Sequence, residues 1–356
     1  MKFPELAYIS WAKALPKVEI NLARSGIDHC PVSLLGLKAK DLVATLPVKY
    51  GYRPLREAVA SRYGVTAAKV FPISGGTSFA NWIACAAVLD GCGRGAEVIV
   101  ERPTYEPLLR IPQAFGHRVR RLERRSDEQY AIDPDRFASL VTTRTRLAIV
   151  SNLHNPTGAR IPMATLRAMA SMLARVNAYL RVDEVYLECL FRNRPESCVL
   201  AGSNVLTTNS LTKAYGLDGL RAGWILGPAN VIARAGRIND LMTNNSVAAG
   251  EQMALAAFRN HRAIDRRAHA LLDPNLARMR TFLANEPRLQ AFVPQGRQRR
   301  VRAAAGTGGE RSPGQPPPGS LLDARRAGTL LRIAAPHPHQ LRLQAVAAGA
   351  RAGKHL

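Results

Sequence analysis

Between residues 50 and 227 the chain alternates short apolar runs with longer segments of helical periodicity. Burial on both faces of a parallel sheet produces runs rich in β-branched and aliphatic residues. Such runs cover residues 97–100, 147–150, 179–182 and 204–208. Helical patterns cover residues 55–63, where Gly64 provides the stop, and residues 78–89 and 163–176. Strands that alternate with helices predict an α/β fold with crossover connections.

The two ends of the chain differ from this block. Residues 1–49 form an arm punctuated by prolines, and residues 230–295 have helical spacing. Beyond Pro294 the stretch 296–319 has neither the strand nor the helix period, and its composition taken alone is typical of a disordered segment. The sequence therefore predicts one α/β block with different structure at both ends.

Composition is that of a globular protein. Hydrophobic residues make up 47% of the 356 residues and charged residues 21%, and no apolar run approaches the roughly 18 residues of a membrane helix. The N-terminus has no signal-peptide pattern, so we expect a cytoplasmic protein without a membrane partner. The five cysteines are odd in number and form no CxxC pair, so we expect free thiols and no metal site.

The formal net charge of +24 can indicate a nucleic-acid partner. The basic residues are spread along the chain, however, apart from one cluster formed by Arg118, Arg120, Arg121, Arg124 and Arg125. No aromatic residues interleave with this cluster, as base stacking would require. We therefore expect the arginines to form a solvated surface, and we expect no nucleic-acid partner.

The segment SLTKAYGLDGLRAGW, residues 210–224, is the most specific in the chain. Lys213 lies among hydroxyl residues at the end of a predicted strand, and Arg221 follows in a glycine-rich turn. A lysine that forms a Schiff base must be held at a fixed point and must be able to lose a proton. Hydroxyls and an arginine are suitable donors for a dianionic phosphate. The alternative interpretation is a surface lysine in a loop.

Four further segments follow predicted strands. Each could be an ordinary turn, but ligands of α/β sheets bind at the carboxyl ends of strands, where all four fall. In SGGT the small residues let backbone N–H groups and a helix N-terminus approach a phosphate. The segments are SGGT at 74–77, ERPTY at 101–105, NLHNPTG at 152–158 and DEVY at 183–186.

In this order the segments resemble the class I/II, or fold type I, pyridoxal-phosphate-dependent aminotransferases, from about residue 20 to 295. The resemblance implies a large domain with a mainly parallel seven-stranded sheet, and a small α/β domain built from both termini. We expect the arm and part of the small domain at 1–49, the large domain at 50–240 and the small domain at 241–356. It also implies a homodimer with its sites at the subunit interface.

The resemblance further implies a role for each site residue. Lys213 would carry the Schiff base and move the substrate proton, and Asp183 would keep the pyridine nitrogen protonated, which makes the ring an electron sink. Tyr186 and Asn155 would hydrogen-bond the phenolic oxygen of the ring, and Tyr105 would stack on its face. The phosphate would be held by Gly76, Thr77, Ser210 and Arg221.

For the substrate, the resemblance implies contacts from Gly26, Asn155 and an arginine that binds the α-carboxylate. We prefer Arg342 for this arginine, and Arg332 is the second candidate. The sequence departs from the family at Arg297, where a glycine and then an apolar strand would be expected, so we expect residues 296–325 to be poorly ordered. A shifted reading frame in this segment is one hypothesis for the departure.

The implied function is transfer of an amino group between a small amino acid and a 2-oxo acid by a ping-pong Schiff-base mechanism. Two alternatives stay open on the sequence alone. The same residues support other pyridoxal-phosphate reactions, namely β-elimination, decarboxylation or cyclisation of an amino acid. The atypical C-terminal segment is also compatible with a degraded, weakly active homologue or a regulator that binds the cofactor.

Overall fold

The computed structural model describes residues 3–16, 19, 25–38, 40, 42–46, 51–93, 95–190, 195–286, 290–292 and 332–334. Its central sheet has seven strands, β1 (Val70–Ser74), β2 (Glu97–Arg102), β3 (Arg118–Glu123), β4 (Thr145–Ser151), β5 (Tyr179–Asp183), β6 (Val205–Ser210) and β7 (Ala222–Leu226). Their order is β1-β7-β6-β5-β4-β2-β3. Only β7 in this sheet runs antiparallel to its neighbours.

The helices cover both faces of the sheet. They are α1 (Ala7–Lys13), α2 (Arg53–Tyr63), α3 (Gly76–Leu89), α4 (Glu106–Ala114), α5 (Pro134–Leu140), α6 (Met163–Ala174), α7 (Ala229–Met242), α8 (Ala248–Arg259) and α9 (His261–Ala284). Buried residues of α3, α4 and α7 share one core cluster with the sheet, and those of α5 and α6 share another. A third cluster joins α2, α8 and the start of α9. No helix in the described part of the chain is long and apolar enough to cross a membrane.

The predicted strands at 97–100, 147–150, 179–182 and 204–208 correspond to β2, β4, β5 and β6. All seven residues of β4 except one are fully buried, which explains their continuous apolar run. Helix α2 ends at Gly64, whose φ of +69° is the left-handed conformation that the sequence predicts there.

The prediction for the basic cluster is wrong at Arg124. This cluster forms β3 and the residues after it, and Arg118 and Arg125 are exposed. Arg124 instead turns inward, where its side chain is 0% exposed and pairs with the buried Glu101 at 2.8 Å. A carboxylate buried at the end of β2 requires a counter-charge, and Arg124 is the nearest residue that supplies one.

A second, two-stranded sheet pairs β8 (Gln290–Phe292) with β9 (Arg332–Ala334). Arg332 lies opposite Phe292 in the register, and the Phe292 ring packs edge-on against Tyr130 at 5.5 Å. Arg332, the second candidate for binding the substrate carboxylate, therefore lies on β9, the strand paired with the one whose Phe292 contacts Tyr130. The preferred candidate, Arg342, and the segment 296–325 lie outside the described residues.

Candidate active site

Asp183 ends β5 beneath α3, at the carboxyl edge of the parallel strands. Its Oδ2 accepts a hydrogen bond from Asn81 Nδ2 at 2.8 Å and its Oδ1 accepts one from the Val185 N–H at 3.0 Å. The side chain has no ion-pair partner within the described ranges. Burial raises the pKa of Asp183 above its usual range, although the two hydrogen bonds and the charges of Arg181 and Lys213 oppose the rise. This carboxylate therefore lies where a cationic ligand atom would be stabilised.

Lys213 lies in the loop after β6, close enough to Asp183 for its charge to lower the pKa of the carboxyl. Its Nζ donates to Ser25 Oγ at 2.5 Å, and its carbonyl accepts from the Ile27 N–H at 3.4 Å. A Cβ at Gly26 would lie 3.6 Å from the Lys213 carbonyl oxygen. The segment 25–27 therefore lies against the lysine, and it includes Gly26, for which the resemblance implies a substrate contact.

Two tyrosines lie at this edge in their neutral forms. Tyr186 donates from its hydroxyl to the Ser25 carbonyl at 3.0 Å, and burial raises its pKa well above the usual range. Tyr105 precedes α4, and burial, reinforced by the nearby Asp183, raises its pKa to about 12. Both phenols are therefore hydrogen-bond donors at neutral pH.

A cradle of hydroxyl and guanidinium groups surrounds the first turn of α3. Thr77 Oγ1 donates to Ser210 Oγ at 2.7 Å, and Arg221 Nη2 donates to the Gly75 carbonyl at 2.7 Å. A Cβ at Gly76 would lie 3.2 Å from Arg221 Nη2. The Gly76 N–H donates to the Arg221 carbonyl at 2.8 Å. Gly76 therefore contributes steric room for a ligand here rather than a hydrogen-bond donor. Hydroxyls, a guanidinium and a helix N-terminus are the donor set that a dianionic phosphate requires.

Asn155 lies on the turn after β4, and a chain of buried hydrogen bonds fixes its backbone. Its N–H donates to Ser151 Oγ at 2.9 Å, and Ser151 donates through its hydroxyl and its N–H to Glu101 Oε1 at 2.6 and 2.7 Å. Glu101 is held in turn by the buried Arg124. The turn that carries Asn155 is therefore anchored to β2 through a buried ion pair.

The structure brings the predicted cofactor residues and Gly26 to this carboxyl edge of the sheet, and Arg332 lies on β9. Sequence analysis missed Asn81, which donates to Asp183 and accepts from Thr208 Oγ1 at 2.6 Å. A recognisable signal was present: Asn81 is one amide in an apolar helix, four residues after Thr77 and so on the same helix face. Ser25, which is not among the predicted site residues, contacts both Lys213 and Tyr186.

The amino-acid sequence matches a known protein family. The family described as aminotransferase class I and II matches residues 10–292. The chain belongs to this family. Together with similar solved structures, the match confirms the predicted fold class, an α/β fold of the type I pyridoxal-phosphate enzymes.

Individual relatives are more distant. The arginine–pyruvate transaminase AruH of Pseudomonas aeruginosa is 33% identical over 192 residues, which cover 51% of this chain and 48% of that protein. The chain thus spans about half the length of that relative. Aspartate aminotransferase from Thermus thermophilus with maleate has a TM-score of 0.68 at 26% identity, covering 77% of this chain and 74% of that one. The pyridoxal-phosphate-dependent cyclase OrfR has a TM-score of 0.74 at 27% identity, covering 83% and 79%.

Proposed function

We propose that the protein is a pyridoxal-phosphate-dependent aminotransferase that moves an amino group between a small amino acid and a 2-oxo acid by a ping-pong mechanism. The observation that carries the proposal is the combination of Lys213, the buried Asp183 and the hydroxyl–arginine cradle at one edge of the sheet. Family membership and the similarity to AruH support the reaction class.

The donor set fits the cofactor at both of its charged ends. Asp183 is a buried carboxylate whose pKa is raised by desolvation, and a protonated ring nitrogen would supply the cation that it lacks. Thr77, Ser210 and Arg221 would hold the phosphate, and Gly76 would leave room for it. Between these ends, Asn155 and Tyr186 would hold the phenolic oxygen and Tyr105 would pack on the ring face.

When bound, the cofactor supplies an aldehyde that condenses with amines and a cationic ring that accepts an electron pair from the substrate. Lys213 would provide the amine that holds the cofactor, and its free amine would be the base that takes the proton from the substrate Cα. Asp183 keeps the ring nitrogen protonated through its negative charge. The neutral Tyr186 hydroxyl, which donates to the Ser25 carbonyl here, would donate to the phenolic oxygen instead when the cofactor is bound. Gly26, Asn155 and Arg342, with Arg332 as the alternative, would bind the substrate.

We also propose that the protein is a homodimer, with the domains at 1–49, 50–240 and 241–356. An interface is supported by three exposed apolar side chains, those of Leu241, Met242 and Val247. This group lies beside the site, because the Val247 N–H donates to Ser74 Oγ at the carboxyl end of β1. Sedimentation velocity tests it, and a monomer that transaminates at full rate would contradict it.

The five cysteines, all without disulfides, support a location in the cytoplasm.

A second reaction has one specific observation in its favour. The similarity to the cyclase OrfR and, over 69% of this chain at 30% identity, to capreomycidine synthase of Streptomyces vinaceus favours cyclisation of an amino acid on the same residues. The products separate the two. Transfer consumes one 2-oxo acid and releases another without ammonia, whereas cyclisation needs no 2-oxo acid acceptor.

The cofactor-binding proposal is tested by trapping. Borohydride should fix the cofactor of the yellow protein irreversibly on Lys213, located by peptide mass spectrometry, because the bond to an amine becomes a stable secondary amine on reduction. Lys213→Ala should lose the trapped label, while Lys69→Ala, a change at an exposed lysine, should keep it. A Lys213→Ala protein that traps the cofactor in the same yield would remove the central claim.

A further inference from the structure

A buried carboxylate, Glu188, lies behind the candidate site. Its Oε1 accepts a hydrogen bond from the Tyr63 hydroxyl, and its Oε2 accepts one from the Tyr215 hydroxyl. Arg62 donates to the same Oε2 from Nε at 3.0 Å and from Nη2 at 2.5 Å. The side chains of Glu188 and Arg62 are only 3% and 7% exposed. Two phenols and a guanidinium thus hold the two oxygens of one carboxylate, which restricts its orientation.

The partners of Glu188 belong to the segments that carry the site. Glu188 itself follows Tyr186 by two residues, and Tyr215 follows Lys213 by two residues. On β6, Asn209 donates to the Tyr63 hydroxyl at 3.3 Å and accepts from the Ser210 N–H at 2.7 Å. The three segments that carry Tyr186, Ser210 and Lys213 are therefore also linked to one another through hydrogen bonds centred on the Glu188 carboxylate.

The charges of this cluster are consistent with a fixed arrangement. Burial disfavours a charge on Arg62, but Glu188 together with the other acidic groups around it outweighs burial and raises the pKa of Arg62. Burial, and then the negative charge of Glu188, raise the pKa values of Tyr63 and Tyr215 well above their usual range. Both tyrosines therefore remain neutral hydrogen-bond donors to Glu188. Arg62 also faces Asp265 of α9 at 3.6 Å, which joins that helix to the cluster.

We propose that Glu188, held by Arg62, is a positioning residue that fixes the Lys213 loop relative to Tyr186 and Ser210. A catalytic group must be held within about 0.5 Å of its working position, and a shift of about 1 Å can cost a hundredfold in rate. A buried ion pair contributes little net stability on its own, so stability alone does not account for a pair at this place. The catalytic consequence rests on the proposed function, but the position of Lys213 does not.

The test compares Glu188→Gln and Tyr215→Phe with Glu57→Gln, an exposed glutamate of α2 that pairs with Arg53. In the cofactor-free protein, the labelling rate of Lys213 by a small amine-reactive reagent is followed by mass spectrometry across pH. Both test variants should label Lys213 roughly threefold to tenfold faster, since a displaced loop weakens the Lys213–Ser25 hydrogen bond. Glu57→Gln should label at the wild-type rate.

In the loaded enzyme, kcat should fall about tenfold or more in Glu188→Gln, with KM within about twofold of wild type. Tyr215→Phe keeps its ring and the Arg62–Glu188 pair, so it decides the question should Glu188→Gln fail to fold. Wild-type labelling of Lys213 in a folded variant would overturn the proposal. A wild-type protein without transaminase activity would instead contradict the proposed function, and the labelling result would still decide the role of Glu188.

Discussion

Asp183 and Glu184 are adjacent carboxylates at the end of β5, and they lie on opposite faces of the sheet. Asp183 lies beneath α3, where Asn81 and a backbone N–H donate to it. Glu184 lies on the other face, where the Ser197 hydroxyl donates to it at 2.9 Å and the Cys198 N–H at 2.5 Å. Both side chains are buried, so burial does not distinguish their roles.

Their surroundings do distinguish them. The charge of Lys213 reaches Asp183, and Asp183 faces no ion-pair partner among the described residues, so it can accept a cationic ligand atom. Glu184 instead accepts hydrogen bonds from Ser197 and Cys198, and burial raises its pKa to about 7 in spite of them. The comparison supports the proposal that Asp183 faces the cofactor, whereas Glu184 holds the segment 197–198.

The largest effect should come from Asp183→Asn. An amide cannot hold the proton of the ring nitrogen by charge, so the substrate electron pair loses its acceptor, and kcat should fall on the order of a hundredfold or more. The cradle of Thr77, Ser210 and Arg221 is unchanged, so the cofactor should still bind. Steady-state kinetics and the absorbance of the bound cofactor measure the two effects.

The matched variant is Glu184→Gln, which changes the neighbouring carboxylate in the same way. Its kcat per folded molecule should stay within about twofold of wild type, because the Glu184 side chain faces away from the site. Near-normal turnover of Asp183→Asn, or an equal loss in both variants, would mean that the contrast between the two carboxylates is wrong.

The ionisation of Glu184 should instead affect how the free energy of unfolding depends on pH. Its pKa of about 7 in the folded protein lies above that of an unfolded chain, so the folded state binds more protons between about pH 4.5 and 7. The free energy of unfolding should therefore fall as pH rises through this window, by up to about 3 kcal/mol from this group. Glu184→Gln does not titrate and should lose this contribution.

Urea unfolding of the cofactor-free proteins from pH 4.5 to 8 measures this difference. Glu196→Gln, which alters an exposed pair with Arg160, is the control and should keep the wild-type slope. A Glu184→Gln protein with the wild-type slope would show that the Glu184 carboxyl is ionised throughout the range.

Much of the fold could be predicted because periodicity records burial. Strands buried on both faces, such as β4, gave apolar runs, and Gly64 marked the end of α2. Strand β3 was not predicted because it lies at the sheet edge and three of its six residues in RVRRLE are arginines, which interrupt the apolar pattern of a buried strand. The inward turn of Arg124 could not be predicted either, because it depends on Glu101, a residue distant in sequence.

The site was predicted from motifs at strand ends, which the parallel topology brings to one edge. What the sequence could not give was the contact between elements far apart along the chain. Asn81 and Asp183 are separated by about a hundred residues, and Ser25 and Lys213 by more. The sequence also could not show that Glu188 is shared by Tyr63 and Tyr215, because no local pattern records a partner on another element.

The smallest effect concerns Arg181, which lies two residues before Asp183 on the same face of β5. Its side chain is fully buried, its Nη1 donates to the Asn81 carbonyl at 2.7 Å, and its Nε and Nη2 have no partner among the described residues. A buried cation with unmet donors costs stability, so Arg181→Met should raise the free energy of unfolding by about 1 to 2 kcal/mol.

Arg124→Met is the matched comparison, because Arg124 is also fully buried but pairs with Glu101 at 2.8 Å. Its removal leaves the Glu101 carboxylate buried without a cation, so this variant should lose about 3 to 5 kcal/mol. Urea unfolding of both variants at one pH gives two shifts that should have opposite signs. Arg181→Met should also raise the pKa of Asp183 in the cofactor-free protein, since Arg181 is one of the charges that lower it. If Arg181→Met destabilises the protein as much as Arg124→Met does, Arg181 is a required counter-ion of Asp183. Asp183 would then already have a cation, and the proposal that it pairs with a cationic ring would need another basis.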